Sequence, residues 1–292
     1  MRRFGTALLC LIGLPVAHAE TASITTNYDG VPEPAQTAFE AATEIWSNCL
    51  ISAAPIKINV QWVERGPTGF AIPNATRNLE HLPEQNVLYP TALSNALVGK
   101  RLNGDEDDIN IFLSARTNWY FDAPERIAPD QIDFINVAVH EIAHGLGITT
   151  TSFVPWDGSG NATIGLPNPF VDFFEYTFPT PVLDGTPSVF DARIKLPDGR
   201  LLIDVENNSE ALTEALNSTG LVFEGDAAQL ANQNQRVEVT PGSITHIPVR
   251  KGFATPIMEA SSGQGESVRQ PDPILLGMLT DLGWKISDNC GT

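Results

Sequence analysis

His140, Glu141 and His144 stand together in HEIAH, residues 140 to 144. On a helix, residues four apart share one face, so His140 and His144 would present two imidazoles to a single metal ion. Glu141, beside the first of them, could reach a water on that metal and take its proton while the metal polarises a substrate carbonyl. This is the chemistry of metal-assisted peptide hydrolysis. The same pattern also fits two histidines on an ordinary helix, so the rest of the site has to be found.

A catalytic zinc site usually has three protein ligands and a water. The chain has five histidines. His18 falls in the leader described below, which leaves His81 and His246. His81, in RNLEHLPEQ, is flanked by polar residues and reads as a surface-loop histidine. His246, in GSITHIPVRKGFATPIMEA, lies well downstream and shortly before Met258. Asp172 and Glu175, in PFVDFFEY, are the alternative third ligand, since zinc accepts carboxylate oxygens. Zn2+ is the expected cofactor. Ca2+ is a weaker candidate: the acidic turn at 105 to 108 and DGSGN at 157 to 161 offer oxygen ligands, but neither matches an EF-hand loop, and both read as solvated turns.

The element that carries the motif is legible without it. In DQIDFINVAVHEIAHGLG, residues Ile132, Ile135, Val139, Ile142, Ala143 and Leu146 form an apolar stripe at helical spacing, with Asp130 or Asp133 as N-cap. Upstream, Pro32 to Ala54 repeats Ala35, Ala38, Phe39, Ala42, Ile45, Trp46 and Cys49 at helical spacing. PIKINVQWV then alternates apolar and polar residues as a half-buried strand does, a second helix is expected around TALSNALVG, and DINIFLS is a second alternating strand. Residues 151 to 245 are rich in Pro and Gly, with a hairpin expected at RIKLPDGRLLI and a short helix around EALTEAL. PDPILLGMLTDLGW reads as a final helix capped by Asp272, begun by Pro273 and stopped near Gly283.

Bulk properties set the context. At 292 residues, 42% hydrophobic and 18% charged, the chain can bury a substantial core. Its start, MRRFGTALLCLIGLPVAHAE, reads as a secretory signal peptide: two arginines, an apolar run too short to span a membrane, and Ala-His-Ala before an expected cleavage after Ala19. The expectation is a secreted, periplasmic or extracellular protein. Removing Arg2 and Arg3 takes the net charge from −18 to −20, which disfavours nucleic acid and anionic membrane as partners. Of three cysteines, Cys10 leaves with the leader, and Cys49 and Cys290 are expected to form a disulfide from the first helix to the C-terminal tail.

HEIAHGLG resembles the HExxHxxG signature of the metzincin zinc peptidases, matched at His140, Glu141, His144 and Gly147. In that superfamily the glycine lets the chain turn sharply after the helix, and the third ligand most often stands three residues later. Here that residue is Thr150. In the leishmanolysin-like branch the third histidine is delayed by a long insertion, and the methionine of the Met-turn follows within a dozen or so residues. His246, which is 102 residues after His144, and Met258 resemble that arrangement, as does the closing helix PILLGMLTDLGW. Pro256 before Met258 and Glu259 after it depart from the proline that follows the methionine in many Met-turns.

The resemblance implies a zincin-like α+β fold. Residues 1–19 would be the signal peptide and 20–292 one catalytic domain. Its N-terminal subdomain, 20–147, would hold a mixed sheet, helices and the zinc helix. Its C-terminal subdomain, 148–292, would be irregular, carry an insertion at about 151–245 and end in a helix. The resemblance also implies His140, His144 and His246 as ligands, Met258 as the floor of the site, Glu141 as general base and a protein or peptide substrate. The alternative is a secreted non-catalytic zinc-binding or structural protein on the same scaffold, motivated by Thr150.

Overall fold

Four strands and two helices build the platform for the HEIAH segment. The computed structural model describes residues 21–155, 158–165, 185–261 and 263–291. Strand β1 (Ile24–Asp29) leads into helix α1 (Glu33–Cys49), which brings the chain back to strand β2 (Ile56–Val63), parallel to β1 with Ile24 opposite Ile56. Strand β3 (Gly69–Pro73), helix α2 (Thr91–Val98) and strand β4 (Ile109–Ser114) follow. The sheet order is β1-β2-β4-β3; β4 is parallel to β2, and β3 is antiparallel to β4 at the edge. The molecule is therefore mixed α+β, with a mixed sheet.

Sequence pattern explains most of these elements. In β2, Ile56, Ile58 and Val60 are buried while Lys57, Asn59 and Gln61 are only half-buried, the alternation expected of a strand with one covered face. β4 departs from that expectation: all six of its residues are buried, because it lies between β2 and β3 and helix α3 (Phe134–Leu146) packs on it. α1 buries its Ala35, Ala38, Phe39, Ala42, Trp46 and Cys49 stripe. It ends at Cys49 rather than at Ala54, since Leu50–Ile51 leave the helix to pair antiparallel with Lys285–Ile286. The expected disulfide is present, joining Cys49 to Cys290 beside that pairing.

α3 begins at Phe134 and its cap is Asp133, whose Oδ1 accepts from the Ile135 and Asn136 amides at 3.0 and 3.3 Å. The other carboxylate oxygen accepts from Arg269 Nε at 2.7 Å and from the Ser267 hydroxyl. Two indoles also hold this helix: Trp46 Nε1 donates to the Val139 carbonyl at 3.0 Å, and Trp284 Nε1 to the Leu146 carbonyl at 2.8 Å. α1 and the C-terminal tail thus grip α3 at two points.

The second half is less regular. Helix α4 (Glu210–Asn217) appears where it is expected, while helix α5 (Asp226–Ala231), absent from the sequence reading, packs against helix α6 (Pro273–Leu282). Asp272 caps α6, as expected, accepting from the Ile274 and Leu275 amides at 3.0 Å each. The hairpin at 193–203 is reduced to a single bridge between Lys195 and Leu201. Ile194–Lys195 pairs mainly with Val222–Phe223, which pairs in turn with Val237–Glu238. Buried apolar residues of both halves, among them Leu146, Phe223, Met258 and Leu279, belong to one core cluster.

Candidate metal centre

His140 and His144 lie one turn apart on α3, and their ring centroids are 4.7 Å apart. His246 arrives from the C-terminal half and stacks on His140 with centroids 5.2 Å apart and planes 23° apart; its ring is 5.1 Å from that of His144. One ligand atom from each of the three falls within 4.8 Å of the others, so the group could hold a metal ion. Among the described residues this is the His, Cys, Asp and Glu cluster with that geometry.

The nitrogens are oriented for the task. His140 Nδ1 bonds the Ile257 carbonyl at 2.7 Å and His144 Nδ1 the Ile148 carbonyl at 2.6 Å. A carbonyl only accepts, so both Nδ1 atoms carry the proton and, in the neutral rings, both Nε2 atoms carry lone pairs. Those Nε2 atoms approach to 3.0 Å, an arrangement that a shared cation relieves. His246 is bonded through Nδ1 to Ser243 Oγ at 2.8 Å. Burial lowers the pKa of all three: His140 by burial against the opposing Ile257 carbonyl, His144 well below the ordinary value by burial and by its two neighbours, and His246 to about 4 by burial and then by His140. The neutral form that results is the ligand form of imidazole.

Glu141 is buried between α3 and β3. Burial pushes its carboxyl up to about 8. Its Oε2 has no hydrogen-bond partner among the described residues, an uncommon state for a buried carboxylate oxygen. Such an atom fits a site that receives a polar group from outside the chain.

Adjacent carbonyls of one short segment anchor two of the histidines. The Ile257 carbonyl holds His140, and the Met258 carbonyl accepts from the amide of Ile247, the residue next to His246, at 2.7 Å. Met258 itself is fully buried. The Ile257 amide in turn donates to Asp272 Oδ2 at 3.1 Å, which ties this segment to the cap of α6.

Gly147 ends the helix with φ 142° and ψ −6°, a conformation that favours glycine, and the chain turns there as expected. Thr150, where a third histidine would stand in the compact arrangement, faces elsewhere. Its hydroxyl donates to Asp191, a fully buried carboxylate that also accepts from the Thr151 amide and hydroxyl and from the Ser188 amide and hydroxyl, each at 2.9 Å. Ser188 Oγ also donates to the Thr149 carbonyl at 2.9 Å. Asp191 therefore fixes the segment whose first residue, Ile148, orients His144.

His81 is exposed and away from the cluster, as its polar flanks suggest. Asp172, Glu175 and Asp157 lie outside the described residues. In the acidic turn, Asp108 is engaged by Arg101 Nη1 at 2.7 Å and by Asn95 and Asn103. Asp133 with Arg269, Asp191 and the Ile257 carbonyl all support the site and were not singled out as site residues from sequence. Asp133 is visible there as a cap, but a contact across more than a hundred residues leaves no local pattern.

A family model described as SPBPB7E8-like matches residues 24–161, just under half of the chain. That span contains His140, Glu141, His144 and Gly147 and stops before His246. No curated protein and no solved structure was found to be similar. The disulfide is compatible with an extracellular location, and no helix among the described residues is long and apolar enough to cross a membrane.

Proposed function

We propose that this protein is a secreted zinc-dependent endopeptidase with a metzincin-like catalytic site of the delayed-histidine kind. The observation that carries the proposal is the convergence of His140, His144 and His246, two on a helix and one from a segment 102 residues later, next to the buried and half-unpartnered Glu141. Three neutral imidazoles are a borderline-soft nitrogen set that suits zinc, and an orphaned carboxylate oxygen beside them suits a general base. Zinc bound there supplies a Lewis acid that polarises a scissile carbonyl and makes a water acidic near neutral pH.

The chain's own part is to hold and move a proton. Glu141 accepts it at its free oxygen from the attacking water and returns it to the leaving amine. Burial pushes the Glu141 carboxyl up to about 8, which makes its carboxylate a stronger base, suited to taking up a proton and returning it near neutral pH. The Ile257 and Ile148 carbonyls fix the tautomer and the ring planes of His140 and His144.

The test is E141Q. The variant is expected to bind one zinc per chain as the parent does and to lose cleavage of casein and peptide libraries by at least about 100-fold. Undiminished activity removes Glu141 from this role. Zinc bound by the parent with no hydrolysis of any peptide favours the second reading, a non-catalytic zinc protein on the same scaffold.

A further inference from the structure

We infer that Gly69, on the edge strand β3, is the positioning residue for Glu141; the inference rests on the reading of Glu141 as the proton carrier. A Cβ at residue 69 would stand 2.5 Å from Glu141 Oε1, 2.9 Å from Glu141 Cγ and 2.7 Å from Val137 Cγ1, where ordinary contacts begin at 3.4 Å. The missing side chain is the slot in which the carboxylate lies. Gly69 is not in the left-handed region, so its backbone does not demand glycine; the space does.

The backbone on either side of the slot does not give way easily, so the carboxylate is what must move. Val137 and Glu141 are one turn apart on α3 and both are buried. Gly69 is paired opposite Leu113, a fully buried residue of β4, so β3 cannot retreat without breaking its ladder. α3 cannot retreat either, because the Trp46 and Trp284 indoles hold its carbonyls. Glu141 Oε1 thus rests against strand backbone, a harder stop than a movable side chain, while Oε2 remains without a partner for the proton it is to receive. To restore an ordinary contact with an alanine at 69, Oε1 must recede from 2.5 to at least 3.4 Å, a displacement of about 0.9 Å.

The experiment compares the parent, G69A, V137A and G69A/V137A as zinc-loaded full chains. G69A is expected to keep one zinc per chain and a KM within about twofold, while kcat falls about 100-fold, the size of effect that an ångström of misplacement produces. V137A removes the second clash, so G69A/V137A should still lie about as far below V137A in kcat, and it gives the same answer if G69A alone does not fold. Parental kcat in G69A, or a double variant as active as V137A, overturns the inference. Crystal structures of the same variants give a readout independent of turnover: the Glu141 carboxylate should move by about 0.9 Å. If the parent hydrolyses nothing, the reading of Glu141 fails, yet a displaced carboxylate still supports Gly69 as its positioning residue, and an unmoved one refutes it.

Discussion

At the scale of single residues, the site is an arrangement of groups driven out of their ordinary protonation behaviour by burial. Glu141 has a pKa of about 8 folded against an ordinary 4.5, so its burial costs nothing below about pH 4.5 and costs progressively more as pH rises through 8. The histidines have the opposite sign: His246 falls from 6.5 to about 4, so its contribution is complete above pH 6.5 and is lost as pH falls through 4. Just below pH 6.5 all three histidines, each with a lowered pKa, act in this direction and the one carboxyl opposes them. With metal removed by a chelator, stability from this group of residues is therefore expected to peak near pH 6.5. Melting chelated parent and E141Q across the pH range checks the Glu141 part. The two should converge near pH 4.5, and E141Q should become the more stable by a few kcal/mol by pH 8 at about 1.4 kcal/mol per pKa unit. A constant gap would mean that Glu141 is not buried as a carboxyl. Zinc affinity should fall with the histidines' protonation as pH drops, since only neutral imidazole binds.

At the scale of elements, the helix that carries the motif is legible from its own stripe, and its sequence offers two aspartates as the cap. The structure selects Asp133, which does more than cap: it is fully buried and paired with Arg269, itself 16% exposed. D133A is expected to cost about 3 kcal/mol in urea unfolding, from the lost cap and an uncompensated, nearly buried guanidinium; a loss below about 1 kcal/mol would show that the pair contributes only as a surface bridge does. Strand β3 was not legible, because GFAIP is five residues long, opens on glycine, ends on proline and follows a Gly-Pro loop. α5 was hidden for a similar reason: its six residues hold no full period of an apolar stripe, and it is defined by Asp281, which accepts from the Ala227 and Ala228 amides at 3.0 and 2.9 Å. Gly69 and Asp191 are positional: what matters at Gly69 is a neighbour seventy residues away, and at Asp191 a set of donors from two loops. By contrast His246 can be singled out because the chain has so few histidines, and Cys49 and Cys290 because they are the pair outside the expected leader.

At the scale of the whole molecule, the site is a junction. Its first two histidines come from the sheet-bearing half and its third from the irregular half, and the Cys49–Cys290 link closes a sequence separation of 241 residues between the helix bearing Trp46 and the tail that follows Trp284. Replacing both cysteines by alanine is expected to cost about 2–5 kcal/mol in unfolding free energy. Zinc content at 25 °C should stay unchanged, because the Leu50–Ile51 pairing with Lys285–Ile286 and both indole bonds remain. Loss of zinc on reduction would show instead that the disulfide is what keeps the two halves in register. Thr150 belongs to the same whole-molecule logic: its tie to Asp191 binds the exit of α3 to the returning chain, and the position that would supply a ligand in a compact site has become part of the brace. Zinc per chain, measured in the parent and in H246A, decides whether these distant halves meet on one metal ion. The expected result is one zinc in the parent and a loss of stoichiometric, tight binding in H246A with the fold retained; one zinc held by H246A at parental affinity would refute the junction and hand the third position to another residue.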